Sequence, residues 1–461
     1  MPGGSPGGLT LGQLLRQFLP AYLRQYPHTP AGVLRVLNRL VSCRTAALGG
    51  HVLACTHCGE ITYHYHSCGD RHCPSCGGTK RASWLERQRR DLLPVGYFHV
   101  VFTLPHELSA LALGNRKLLY DRLFTATSET LQTIGADPRH LGARLGALLV
   151  LHTWGQQLEH HPHIHAVVPG GGLSPDGTKW VASRADFLVS VKVLGRLFRG
   201  KFLAAVKELY EAGELRFAGS TAALAEKPAF QAWLSGLYAK DWVVYAKKPF
   251  AGPDVLLKYL TRYTHRVALS NGRLKKVEGD RVTLSYKDYA DGCQPKEMTL
   301  TGPELLRRFA MHILPKGFVR VRQCGILAHR GRQERLALCR RLLGVPMPLP
   351  AACLIPPAPL HNEPSPVAGR MESAPVELSM AESASSPEVN PNVLPTLSLS
   401  AVLLLTLALS CDAMGWLLAC ASSAPILRRC PSCGQGELQT IWEQPRPRGP
   451  HRKTKDPWNT S

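Results

Sequence analysis

The chain has 461 residues, 44% of them hydrophobic and 19% charged, with 55 Lys and Arg against 33 Asp and Glu. That apolar content supports at least one well-buried core and excludes a wholly disordered or fibrous chain. A formal net charge of +22 points to a polyanion partner and away from a specialist for small molecules.

The basic surplus lies in the first 350 residues, because 351–427 hold six acids against one base, Arg370. Residues 9–43 read as two helices: Leu11, Leu14, Leu15, Phe18 and Tyr22 share one face of the first, and Pro30 opens the second. A cysteine- and histidine-rich stretch at 55–76 precedes a basic helical run with Lys80, Arg81, Arg87, Arg89 and Arg90. YFHVVFTL at 97–104 is predicted to be a strand stopped by Pro105, and 148–154 and 161–168 read as strands too. Helices are predicted over 191–212, 253–265 and 303–312, and a strand over 281–286. The Pro/Ser-rich stretch 345–395 reads as a disordered linker. The resulting division is 1–92, 93–344, the linker 345–395, and an apolar segment with a basic tail at 396–461.

Fourteen cysteines could signal disulfides, but six fall between Cys43 and Cys76 and no secretory signal precedes them. Zinc-bound thiolates in a reducing compartment fit that pattern better. Cys55, Cys58, Cys73 and Cys76, in two CxxC pairs, predict one structural four-thiolate Zn²⁺ site. Gly59 and Gly77 follow the two knuckles, where the turn needs an unusual φ. Cys68, His57, His64, His66 and His72 read as bystanders, and the basic run beyond them as a grip on DNA phosphates. A lone pair, Cys430 and Cys433, is half a site, with Cys411 and Cys420 as the thiols considered to complete it. The apolar run 396–423 is long enough to span a membrane, but Asp412 and Gly415 interrupt it, and a buried segment is the preferred reading.

His163-Ile164-His165 carries the second constellation. A strand period of two puts both imidazoles on one face and Ile164 in the core. Such a pair can chelate a divalent ion, Mg²⁺ or Mn²⁺, that polarises a phosphodiester, with Gln156 or His152 supplying a third ligand. Tyr259 and Tyr263 stand one helical turn apart among Lys258, Arg262, His265 and Arg266. Alone they would read as core aromatics. Beside the histidine pair and the basic charge they read as nucleophiles, since a phenol of pKa about 10 needs a neighbouring cation.

Together these motifs resemble the HUH-superfamily nucleases, and within them the two-tyrosine rolling-circle transposases of the IS-ninety-one family of bacterial insertion sequences. The likeness rests on CTHCG…SCGDRHCPSCG, LLPVGYFHVVFTLPHEL, LHTWGQQLEHHPHIHAVVPGGG, YLTRYTHRVALSNGRL and LPKGFVRVRQCGILAHRGR, in that order. It implies an α+β fold, an N-terminal helical and zinc-binding module followed by an HUH endonuclease domain with a central antiparallel sheet flanked by helices. It implies His163, His165 and Gln156 as ligands of Mg²⁺ or Mn²⁺, Tyr259 and Tyr263 as catalytic nucleophiles, and Cys55, Cys58, Cys73 and Cys76 as zinc ligands. The implied partners are single-stranded DNA at element ends and target, with host helicase or replication enzymes, in the bacterial cytoplasm at the nucleoid. No small-molecule substrate is expected. The alternatives weighed are a replication initiator or relaxase-type nickase, and a non-catalytic zinc-dependent DNA-binding regulator.

Overall fold

Helix α1 (Leu11–Gln25) begins at Thr10, whose hydroxyl accepts the Gln13 N–H while the Gln13 side chain accepts the Thr10 N–H. Its predicted apolar face is buried. α2 (Ala31–Val41) follows Pro30, and the hairpin β1 (Gly50–Cys55) and β2 (Ile61–Tyr65) follows that. The computed structural model describes residues 8–76, 78–184, 188–247, 249–250, 255–256, 268–289, 291–345 and 429–445. Apart from 255–256, the helix expected over 253–265 lies outside these residues, as do nearly all of the linker and the apolar run 396–423. No helix among the described residues is long and apolar enough to cross a membrane.

Then come α3 (Gly78–Asp91), β3 (Tyr97–Thr103), α4 (Ser109–Gly114), α5 (Arg116–Ala136), β4 (Gly146–Trp154) and β5 (His160–Pro169). A short hairpin, β6 (Gly171–Leu173) and β7 (Trp180–Ala182), leads to α6 (Val191–Glu211), α7 (Lys227–Ala239) and β8 (Val244–Lys247). A meander of β9 (Leu274–Glu278), β10 (Arg281–Asp288) and β11 (Gln294–Thr301) runs into α8 (Gly302–Met311), β12 (Val321–Gly325) and α9 (Arg332–Leu342). A last strand, β13 (Leu438–Gln444), returns to the first hairpin and pairs with β1.

The main sheet has the order β12-β4-β5-β3-β8, antiparallel throughout. One face packs Phe98, Val100, Phe102, Leu149, Leu151, Ile164, Ala166 and Val168 against α5, α6 and α7. With α5, α6 and α7 layered on one face of an antiparallel sheet, the fold is α+β. Alternation turns Tyr97, His99, Leu148, His152, His163, His165 and Val167 to the other face. Register is fixed by this contrast: a slip of one residue would swap Ile164 for imidazoles in the core.

A second core unites α1 and α2 with the meander and α8, through Leu11, Leu15, Phe18, Leu37, Val282, Leu305 and Phe309. Residues on either side of the expected 92/93 division therefore share one interior.

Candidate functional site

On the face opposite α5, α6 and α7, β4 and β5 bring three imidazoles together, His152 and His165 buried and His163 partly exposed. His152 lies directly across from His163 in the ladder, and Val150 across from His165. One ligating nitrogen from each of His152, His163 and His165 fits within a 4.8 Å cluster. His163 Nε2 and His165 Nε2 are 3.1 Å apart. His163 Nδ1–H donates to His161 O at 2.7 Å, which leaves its Nε2 as a lone pair. Behind His165, His99 Nε2 lies 2.8 Å from His165 Nδ1. Burial, helped by the charge of Lys247, lowers the pKa of His99 to about 3. A neutral His99 can accept the Nδ1 proton of His165 and aim the Nε2 lone pair of that ring at His163. In that tautomer the two Nε2 lone pairs face one another at 3.1 Å, a gap that a proton or a cation can bridge. The separation matches adjacent corners of an ion's shell at metal–nitrogen distances of about 2.1 Å.

Gln156 is placed elsewhere. A bulge at the end of β4 carries it past the ladder, where its Nε2 donates to the Tyr289 hydroxyl at 2.7 Å and its Oε1 accepts the Lys287 N–H at 3.4 Å. His152, the other candidate third ligand, lies within reach of the pair. Folding 150–165 as a hairpin about its polar turn would have set His152 opposite His163. His99 gives no signal of its own in the sequence, because its strand is otherwise a continuous apolar run.

Other histidines near the site are structural. His160 Nε2 lies 2.7 Å from the Tyr120 hydroxyl, and burial holds its pKa at about 3. His312 is buried beside Thr153 and Leu158, with its pKa lowered to about 4 by burial. Burial likewise lowers the pKa of His161. Arg320 is buried too, which brings its guanidinium down to about 10, with Arg71 adding like charge.

Tyr259 and Tyr263 lie outside the described residues. The chain just before them does not: Leu256 is fully buried on Tyr97, Leu148 and Val167, on the face that carries the imidazoles.

The single zinc site expected from Cys55, Cys58, Cys73 and Cys76 divides in two. Cys73 and Cys76 meet Cys43 and Cys68, with Sγ–Sγ distances of 3.4 Å for Cys43–Cys76, 3.5 Å for Cys43–Cys73 and 3.7 Å for Cys68–Cys76. Cys55 and Cys58 meet Cys430 and Cys433. The cause is β2, which runs between the two CxxC pairs and carries the second away from the first. Cys68 is thus a member of a quartet and no bystander. His72 is held outside it: Nδ1–H donates to Asp70 at 2.9 Å and Nε2 accepts the Leu314 N–H at 3.2 Å.

With this geometry in view, the comparisons agree. A family described as "Putative transposase" matches residues 146–335, and one described as "Transposase zinc-binding domain" matches residues 14–104. The chain is 49% identical over 349 residues to the putative transposase y4qJ of Sinorhizobium fredii, covering 76% of this chain and 88% of that one. It is 29% identical over 303 residues to the transposase for insertion sequence element IS801 of Pseudomonas savastanoi pv. phaseolicola, covering 64% and 70%. A solved structure of TrwC complexed with DNA matches 54% of this chain and 75% of that chain at 15% identity, with a TM-score of 0.20, too low to support any argument. The fold and site define an α+β protein with a three-histidine cluster on its main sheet and a cysteine-rich N-terminal module. The chain belongs to the IS-ninety-one family of transposases, with their zinc-binding domain at its N-terminal end.

Proposed function

We propose that the chain nicks and rejoins single-stranded DNA in rolling-circle transposition, with Tyr259 and Tyr263 as nucleophiles and His152, His163 and His165 as ligands of a divalent ion. Cys43, Cys68, Cys73 and Cys76 would hold a structural Zn²⁺. The observation that carries this reading is the convergence of three imidazoles on the sheet face opposite α5, α6 and α7, backed by His99. A divalent ion held there supplies charge to offset the phosphodiester oxygens. Three imidazoles suit a first-row transition ion better than Mg²⁺, so Mn²⁺ is the favoured of the two expected ions.

Leu256 supports the nucleophile assignment. It docks two strand positions along from His165, over Val167, and three residues of chain from there to Tyr259 reach at most about 11 Å. In the proposed step a tyrosine oxygen bonds to phosphorus, the bond to the 3′ oxygen breaks, and a 3′-hydroxyl and a 5′-phosphotyrosine result. The second tyrosine can cut another strand while that link persists, and the freed hydroxyls reverse both links. The sequence has no GxxxxGK[ST] loop, so strand separation falls to host helicase or replication enzymes.

The test is a labelled single-stranded oligonucleotide of an element end incubated with the full chain and Mn²⁺. Wild type should become covalently linked, and the Tyr259→Phe, Tyr263→Phe double variant should bind DNA without forming the link. A link that survives in the double variant overturns the assignment.

A further inference from the structure

Four sulfurs from opposite ends of the chain meet outside the two main cores. Cys55 and Cys58 lie at the end of β1, and Cys430 and Cys433 precede β13, so the facing pairs are 378 and 372 residues apart. Cys55 Sγ is 3.7 Å from Cys433 Sγ, Cys58 Sγ is 3.6 Å from Cys430 Sγ, and all four lie within 4.8 Å of one another. An S–S bond is about 2.05 Å, so these are free thiols. The spacing matches the edge of a tetrahedron with Zn–S bonds of about 2.3 Å, which is about 3.8 Å.

The two halves are built alike. Each CxxC is followed by a glycine in the left-handed region, Gly59 at φ +73° and Gly434 at φ +67°. The Gly59 N–H donates to Cys55 O at 3.1 Å, and the Gly434 N–H to Cys430 O at 2.9 Å. Backbone N–H groups of His57 and Cys58 point at Cys55 Sγ, and that of Gly436 at Cys433 Sγ, each at 3.4 Å. Such donors favour a thiolate, the form that ligates metal. A Cβ at Gly436 would collide with Cys55 Sγ and with His57. The halves are also stitched together: Thr56 N–H donates to Glu437 O at 2.9 Å, and Glu437 N–H donates to Thr56 Oγ1 at 3.0 Å.

Apolar burial cannot hold this unit. Beyond the sulfurs its interior is buried Leu438 and half-buried Leu53, while Ile61, Tyr63, Ile441 and Trp442 are each more than half exposed. A three-stranded sheet with so little core needs another source of stability. We propose that Cys55, Cys58, Cys430 and Cys433 bind a Zn²⁺ of their own, forming a zinc ribbon from the two ends of the chain. The ion clasps residues 429–445 to the N-terminal hairpin. This inference does not depend on the proposed DNA chemistry.

Two measurements on the full chain test it. After loading with Co²⁺, thiolate-to-cobalt charge-transfer absorbance counts the four-thiolate sites, and the histidine cluster adds nothing to it. Replacing Cys430 and Cys433 by Ser should remove about half of that absorbance, two sites becoming one. Replacing Cys55 and Cys58 by Ser should remove the same half, and all four changes together should remove no more. Full absorbance in the Cys430→Ser, Cys433→Ser variant overturns the proposal. The second measurement introduces a protease site between residues 346 and 428, with and without the Cys430→Ser, Cys433→Ser changes. After cleavage the C-terminal fragment should co-elute with the rest of the chain when the cysteines are intact and separate when they are replaced. Separation with the cysteines intact, or co-elution in the Cys430→Ser, Cys433→Ser variant, overturns the clasp.

Discussion

The two thiolate quartets have the same donors and opposite surroundings. Cys43, Cys68 and Cys73 are buried in the second core, beside α1, α2 and α8. Hydrogen bonds tie that quartet's loops to distant segments. Arg39 donates to Cys68 O, Arg71 to Phe318 O and Pro315 O, and Asn271 to Ser75. The quartet of Cys55, Cys58, Cys430 and Cys433 has almost no apolar neighbours, and its contacts are largely those of its own sheet. In one place the four thiols form part of a core. In the other they replace one. The same chemistry should therefore fail globally in the first region and locally in the second.

Breaking the inner quartet should produce the largest effect. Cys73→Ser removes a ligand and leaves buried thiols facing the core, where zinc binding and folding are one process. The expected outcome is loss of soluble, cooperatively melting full-length protein. Cys433→Ser should leave the main thermal transition within about 1 kcal/mol of wild type, since surface units away from the core contribute little to it. Equal damage from both substitutions, read by thermal melting, would erase the contrast between the two regions.

How much of this was legible follows the same division. Local signals located the elements that carry the site: the Leu11–Tyr22 stripe, the β-branched run of β3, and the alternation around Ile164 that turns His163 and His165 to one face. The ligand sets were harder because they depend on which strands meet. CxxC spacing identified the knuckles, but nothing between Cys58 and Cys73 announces that β2 separates them, and nothing near Cys430 names Cys55 as its partner. β12 and β13 escaped notice because both are short and half-polar, and the pairing that makes each a strand is with β4 or β1, far away in sequence.

Acid should separate the regions next. In the core around the inner quartet, His312 Nε2–H donates to Leu158 O at 3.1 Å and Nδ1 faces the Thr153 hydroxyl at 3.2 Å, an arrangement suited to the neutral ring. Its pKa is about 4 in the fold, against an ordinary value of 6.5. Between those values the unfolded chain binds more protons, so the contribution is full above pH 6.5 and drains away toward pH 4. The stake is on the order of 3 kcal/mol. His312→Asn should therefore flatten the fall of the urea midpoint between pH 7 and pH 4.5, compared with wild type. Parallel curves for the two proteins would show that His312 does not titrate as described.

The smallest effect sharpens the contrast from a third side, because the histidine cluster lies on a sheet whose packing does not need an ion. The helix-covered face of the sheet holds its own core, and His152, His163 and His165 extend from the opposite face. Emptying that cluster should leave the melting temperature nearly unchanged, unlike either thiolate quartet. Under the proposed metal reading His99 is a positioning residue: its contact with His165 Nδ1 would fix which nitrogen of His165 faces the ion. Losing such a partner typically costs about 10- to 100-fold in metal affinity. His99→Ala should weaken Mn²⁺ binding by that factor in a direct titration, and His99→Gln, which keeps an acceptor near His165, should recover part of it. A lower melting temperature in His99→Ala without any change in Mn²⁺ affinity would make His99 a core residue only, and the ion would then have to be positioned by the three ligands alone.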